Sequence, residues 1–314
     1  MRAMVISGFG GPEVFEEREV DRPEPGPNEV LVKVHATSIN PVDYKIRQAG
    51  SWAGVEPPAV IGYDVSGVVE EAGSGVEAFQ AGDAVYYTPE IPGRGGSYAE
   101  YHVAHESIVA RKPANLSHEE AASIPLAGGT AWDAMVNRGL LEVGETTLIH
   151  GAGGVGSLAI QIAVAAGARV FAVCSDYMEE TVKEYGAFPL NYQQEDFVEI
   201  VEEETGGEGV DLVFDTVGGD TMTRSLPVIK PFGRMVNIVG TKADLSSANP
   251  LNVTVHYLFL QRERTKLDSL RQLIERGQLS PLVDSVMDLT EVADAHRRLE
   301  QGGVKGKIVL RVSG

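Results

Sequence analysis

The chain has 314 residues, enough to bury two domain cores, and its 36 glycines favour a turn-rich α/β protein. Its formal charge of -19 argues against partners such as nucleic acid or an anionic membrane, because phosphate needs positive charge opposite it. A single cysteine excludes an intrachain disulfide and a Cys-rich zinc module; residues 1–6 carry no signal-peptide pattern and no segment has the length to span a bilayer, so a cytoplasmic protein is expected.

In chain order, residues 1–120 read mostly as strands. Pro23, Pro25, Gly26 and Pro27 mark a rigid early loop. Residues 30–36 alternate as a half-buried strand does, residues 65–72 form a second strand, and residues 82–87 follow a turn. The Gly-rich cluster 93–96 precedes a strand over 97–103. Ser117 and Glu120 have the spacing of a capping box, and the helix they open is expected to start the crossing between domains. A βα series then runs to about residue 270, with strands over 210–215 and 233–240. Residues 266–274 form a helix whose buried face is Leu267, Leu270, Leu273 and Ile274. The tail reads as a strand around Met287, a helix over 290–301, and a strand over 307–312 that returns to the first domain's sheet.

The most informative stretch of that series lies at 147–156. An apolar strand runs into Gly151, Gly153, Gly154, Val155 and Gly156, then a helix, then the strand 168–173. Gly151 permits a sharp turn, Gly153 lets the backbone approach a pyrophosphate, and Gly156 lets the helix pack on the strand. The diphosphate then sits on free N–H groups at the helix start near Val155. At the end of the second strand a carboxylate usually binds the adenosine ribose. Here Cys174 stands in that place with Ser175 next, leaving room for a 2′-phosphate that Ser175 can bond. NADPH is therefore expected ahead of NADH, although Asp176, Glu179 and Glu180 oppose a phosphate if they face it. Alternatively, Asp176 caps the next helix.

The chain resembles the medium-chain dehydrogenase/reductase superfamily, and most its zinc-independent quinone oxidoreductase branch, related to zeta-crystallin. The resemblance rests on residues 40–47 (NPVDYKIR), 62–69 (GYDVSGVV), the glycine turn, 209–218 (GVDLVFDTVG) and 306–310 (GKIVL), and it covers essentially the whole chain. It implies an α/β fold: a GroES-like catalytic domain over 1–120, an inserted Rossmann domain over 121–270, and a return over 271–314, with the active site in the cleft between domains. Superfamily members with zinc use Cys and His ligands that suit that metal. Residues 40–43, Tyr63-Asp64 and 128–130 lack them here, so no metal is expected. Without a Lewis acid, reduction of a quinone or α,β-unsaturated carbonyl is easier to support than alcohol oxidation.

The resemblance also implies site residues. Asn40, held extended by Pro41, lies beside the nicotinamide, or else makes a structural Asx-turn. Lys45 stands where relatives carry Tyr or Lys, and either can donate to oxygen; the alternative is a surface or cofactor-contacting lysine. Tyr63 lines the substrate pocket, while Asp64 orients its loop. Trp52 stacks on a flat substrate or packs its own loop. Asp43 and Arg47 are expected to pair and hold their loop, and Tyr44 to pack. Thr130 lies against the cofactor, Tyr192 at the adenosine end, Gly240 at the binding edge, Phe259 within the 256–260 stretch that lines the nicotinamide and forms a dimer edge or else is plain core, and Lys305 near the phosphate or else in solvent. The leading reading is an NADPH-dependent quinone or enone reductase, homodimeric. An enoyl-thioester reductase and an NADPH-binding structural or regulatory protein are its rivals.

Overall fold

The pattern around the glycine turn folds as strand Thr146–His150, helix Gly154–Ala165 and strand Arg169–Cys174 in a computed structural model that describes residues 1–240 and 243–312. These strands belong to a six-stranded parallel sheet. Its order is Phe188–Asn191, Arg169–Cys174, Thr146–His150, Val210–Asp215, Ile229–Asn237, Thr254–Tyr257. Strands buried on both faces read as continuous apolar runs, and Leu148, Ile149, Phe171, Ala172, Val213 and Phe214 are all fully buried. The chain winds outward one way from Thr146–His150, then returns to its other side at Val210–Asp215. That reversal creates a switch point where open α/β sheets bind ligands.

This unit comprises Thr130–Gln261 and Gly277–Ser280. The short second piece belongs here because Gln161 accepts the Ser280 N–H at 2.8 Å and donates to the Ser280 carbonyl at 3.0 Å.

The other unit comprises Met1–Gly129, Arg262–Arg276 and the chain from Pro281 on. Its larger sheet runs Val283–Asp288, Lys307–Arg311, Glu29–Ser38, Val65–Ala72, Ala84–Tyr87, Ala110–Arg111, with Tyr101–His105 also paired to Glu29–Ser38. The C-terminal strand thus returns to the N-terminal sheet, as its sequence implied. A smaller sheet joins Phe15–Glu19, Arg2–Ile6 and Ala59–Val60. Glu29–Ser38 alternates over residues 32–36, with Val32, Val34 and Ala36 buried and Lys33 and His35 half-buried between them; the alternation breaks at Val30 and Leu31, both buried, where the pairing register shifts between Leu31 and Val32. The strand expected over 97–103 begins only at Tyr101; residue 99 makes an isolated bridge to Ala3.

Two further expectations are corrected. The boundaries at 120 and 270 move to 129 and 261. Helix Arg264–Glu275 does bury Leu267, Leu270 and Ile274, but within the first unit, where Tyr86 donates to the Leu267 carbonyl at 2.6 Å and Asn115 to the Ile274 carbonyl at 3.1 Å. The Ser117–Glu120 capping box forms, but its helix ends at Ala122, and the following helix Pro125–Trp132 carries the chain across the boundary. Among the described residues, no helix is long and apolar enough to cross a membrane.

A candidate dinucleotide site and a buried polar network

In the parallel unit each glycine of the turn meets a different physical demand. Gly151 adopts φ +93°, and a Cβ there would lie 2.4 Å from Thr216 Oγ1. Gly156 approaches so closely that a Cβ would lie 1.8 Å from the Gly151 carbonyl oxygen. Gly153 has an ordinary φ of -74°, and a Cβ built on it meets no atom within 4 Å. The turn is therefore tight at Gly151 and Gly156 and open at Gly153, the pattern a diphosphate needs. Gly153 is the N-cap of helix Gly154–Ala165 and supplies no capping side chain. The helical ladder starts with Ser157 N–H donating to the Gly153 carbonyl at 2.8 Å, which leaves the N–H groups of Gly154, Val155 and Gly156 without an intrahelical acceptor. These groups fit a dinucleotide's diphosphate.

The strand registers gather most of the expected cofactor residues on the same edge. Val173 pairs with His150, Cys174 with Asn191, Asp215 with His150, Asn237 with Asp215, and Tyr257 with Asn237. Cys174 is buried, and its thiol is pushed up to about 11 by burial and by the nearby Glu179 charge, so it is neutral at ordinary pH. Ser175 is half-buried. It, and not Asp176, is the N-cap of the following turn; Asp176 sits inside the turn and accepts the Tyr177 N–H at 2.7 Å, which corrects its expected capping role. Glu179 and Glu195 are tied to one residue: Asn191 donates its side-chain amide to Glu179 and its backbone N–H to Glu195, both at 2.7 Å. Tyr192 is 59% exposed beside them, its N–H donating to the Cys174 carbonyl at 3.3 Å. Gly240 is exposed with φ +73°. Phe259 is 56% exposed, and Thr130, the first residue of this unit, is buried.

In the other unit Asn40, one of the three expected catalytic residues, belongs to a buried polar network. Asn40 is extended (φ -124°, ψ 155°) and starts helix Pro41–Ala49. Its side chain is nearly inaccessible: Nδ2 donates to Asp64 Oδ2 at 2.7 Å, and Oδ1 accepts from Lys307. Asp64 also accepts Ser38 Oγ at 2.6 Å and the Leu126 N–H at 2.7 Å, and pairs with the Lys307 ammonium at 3.3 Å. Asp43 and Arg47 do not pair with one another as expected. Asp43 Oδ2 accepts the Asn40 N–H and the Tyr98 hydroxyl, both at 2.8 Å. Arg47 donates to Glu300 at 2.9 Å, to the Gly10 carbonyl and to His296 Nδ1. That last bond makes Nδ1 the acceptor, so Nε2–H of His296 faces the Tyr98 oxygen at 3.1 Å. Burial and the Arg47 charge lower His296 to about 3, and burial raises Asp43 to about 7.

Tyr63 is buried, and burial together with the Asp43 charge raises its phenol, which stays protonated. Lys45 is exposed on its helix, Tyr44 and Lys305 are half-buried, and Trp52 is 57% exposed. Among the described residues, no group of three or more His, Cys, Asp or Glu could hold a metal ion. Sequence reasoning missed Lys307, Asp215 and Asn237. An acidic residue closing an apolar strand before Gly218-Gly219, and a lysine opening the apolar run 308–310, were their signals.

Residues 26–114 match the family model described as the alcohol dehydrogenase GroES-like domain, and residues 186–310 match that of a zinc-binding dehydrogenase. The chloroplastic NADPH-dependent alkenal/one oxidoreductase of Arabidopsis thaliana is 35% identical, over 99% of this chain and 79% of that protein. The Escherichia coli quinone oxidoreductase complexed with NADPH superposes with a TM-score of 0.88 at 31% identity, covering 99% of this chain and 100% of that one. A protein described as an NAD-dependent alcohol dehydrogenase gives a TM-score of 0.92 at 33% identity, with both chains fully covered.

Proposed function

The chain belongs to the zinc-independent quinone oxidoreductase branch of the medium-chain dehydrogenase/reductase superfamily, and from that membership we propose that it reduces a small quinone or α,β-unsaturated carbonyl with NADPH and without a metal. The observation that carries this reading is the glycine turn: closed at Gly151 and Gly156, open at Gly153, and followed by an uncapped helix start. When bound, NADPH supplies the hydride. The chain's own residues hold its diphosphate at Gly153–Gly156 and stabilise the oxygen that gains charge. Of Asn40, Lys45 and Tyr63, only Lys45 offers an exposed donor; Tyr63 is buried, and the side chain of Asn40 is taken up by Asp64 and Lys307.

Anaerobic NADPH oxidation against a panel of quinones and enones, with product identification, tests this reading. One reduced product per NADPH is expected, at a rate that survives exhaustive chelation. NADPH binding without turnover of any acceptor would make the chain a binding protein. A chelator-sensitive, zinc-restored rate would end the metal-free reading.

NADPH is proposed over NADH because the neutral Cys174 thiol replaces a ribose-binding carboxylate, and Glu179 and Glu195 are occupied by Asn191. Ser175 and the exposed Tyr192 offer hydroxyls to a 2′-phosphate. Titration should give several-fold tighter binding of NADPH, and Ser175→Asp should erode that preference through charge repulsion. Tighter NADH binding by the unaltered chain would reverse the assignment.

A homodimer is proposed from the outer strand Thr254–Tyr257. Among the described residues it pairs only with Ile229–Asn237, and Tyr257 is 64% exposed beside Phe259. The alternative, a strand covered within its own chain, does not suit that exposure. Open edges invite a twin strand across a two-fold axis. Sedimentation equilibrium should show the dimer; a persistent monomer at high concentration would refute it.

A further inference from the structure

At the switch point two loops are held from below by two side chains. Asp215 and Asn237 end adjacent strands and are buried. Asp215 Oδ1 accepts the N–H groups of Val217 and Gly218, both at 2.9 Å. Asp215 Oδ2 accepts the Thr221 hydroxyl and the Asn237 side-chain amide, both at 2.7 Å. Asn237 Oδ1 in turn accepts the N–H groups of Val239 at 3.1 Å and Gly240 at 2.8 Å. The amide orientation is unambiguous, since Nδ2 faces a carboxylate and Oδ1 faces two donors. A single hydrogen bond between the two side chains therefore couples the loop after Val210–Asp215 to the loop after Ile229–Asn237.

The loops also touch at their tips. A Cβ on Gly218, which has φ +83°, would lie 2.9 Å from Val239 Cγ2. Val217 and Val239 are 61% and 37% exposed, apolar side chains displayed at a polar edge. Thr216, next to Asp215, donates its hydroxyl to the His150 carbonyl at 2.7 Å and packs against the Gly151 turn. Adjacent residues at the start of this loop thus tie it to two neighbours, Thr216 to the strand end before the glycine turn and Asp215 to Asn237.

Strand order says what these valines face. A diphosphate on the turn after Thr146–His150 sends the adenosine half toward Cys174 and Ser175. The other half must then run the opposite way, over the ends of Val210–Asp215 and Ile229–Asn237. We propose that Asp215 and Asn237 act as one positioning unit that holds Val217 and Val239 as an apolar platform for the flat nicotinamide ring. This assignment rests on the dinucleotide reading above and adds to it the residues that set the ring's place. Neither side chain touches the ring; both act through backbone N–H groups.

An exchange of the two residues tests the coupling. Asp215→Asn sets two amide donors against each other, and Asn237→Asp sets two carboxylates together. In the double variant the bond is rebuilt with reversed polarity. Asn at 215 donates to Asp at 237 and to the Thr221 oxygen, while its own oxygen keeps the N–H groups of Val217 and Gly218. Asp at 237 keeps those of Val239 and Gly240. Affinity for the reduced dinucleotide by fluorescence titration, kcat with a quinone acceptor, and Tm should be measured on all four proteins. Each single change is expected to weaken binding or kcat by about 10–100-fold, as displacement of a reacting group does, and the exchange to restore both to within about 3-fold. If a single variant does not fold, the exchange variant decides alone. Single variants that lower Tm but bind and turn over normally would reduce the pair to a structural brace. An exchange variant that folds yet stays as impaired as the singles would also overturn the proposal. Failure of the unaltered chain to bind any dinucleotide would instead refute the underlying function.

Discussion

Replacing Lys307 with Met is expected to lower the stability of the fold by about 3–5 kcal/mol, the range for stripping one partner from a buried ion pair. Asp64 is completely buried, and Lys307 is the only cation among its described hydrogen-bond partners. Its bonds from Ser38, Asn40 and Leu126 remain in the variant, which favours the lower end of that range. Asn40 loses the donor that fixes its Oδ1, so its amide is freed to rotate. Adding Asp64→Asn should recover most of the loss. The new amide can donate to the freed Asn40 oxygen while its own oxygen keeps the Leu126 N–H. Urea unfolding of the three variants checks this, and a loss below about 1 kcal/mol for Lys307→Met would mean that the anion finds water or another partner.

The second large effect separates the two kinds of glycine in the turn. Gly156→Ala drives a methyl into the Gly151 carbonyl, both of them backbone-fixed, so the helix must leave the strand. Overpacking of this kind costs about 1–3 kcal/mol, and the displaced helix start should lose the dinucleotide as well. Gly153→Ala places the same methyl in open space at a φ that any residue adopts. Its stability should stay within about 0.5 kcal/mol of the parent, while dinucleotide binding collapses because the methyl stands where the diphosphate belongs. Calorimetry and cofactor titration on the pair provide the check. Equal affinity of Gly153→Ala and the parent would place the diphosphate elsewhere.

The parallel unit was legible because its signals are local. A glycine turn between two apolar strands, and an apolar run ending at Asp215, each need only a few neighbouring residues. The helix Pro41–Ala49 was read as a loop for the opposite reason. Its buried residues are Asp43, Ile46 and Arg47, so two of the three are charged and apolar periodicity cannot reveal the buried face. The partners that make those charges tolerable, Tyr98, His296 and Glu300, lie far along the chain and leave no local trace. Helix Arg264–Glu275 showed its apolar stripe but not what the stripe packs against, which moved a domain boundary. Lys307 and Asn237 are likewise defined only by strand pairing across long sequence separations.

The return of Lys307–Arg311 to the strand Glu29–Ser38 also sets an order of events during synthesis. Residues 36–38 lack this edge partner until residue 309 has emerged, and the Asp64 carboxylate lacks its cation until Lys307 has. The parallel unit, encoded in between, has all six of its strands in hand by Tyr257. A nascent chain therefore builds its middle first and carries an unfinished N-terminal sheet, with an open edge and an unmatched buried anion, until residues 307–311 emerge. Emergence of residues 307–311, and not the appearance of the first strands, is the moment at which the N-terminal sheet can close.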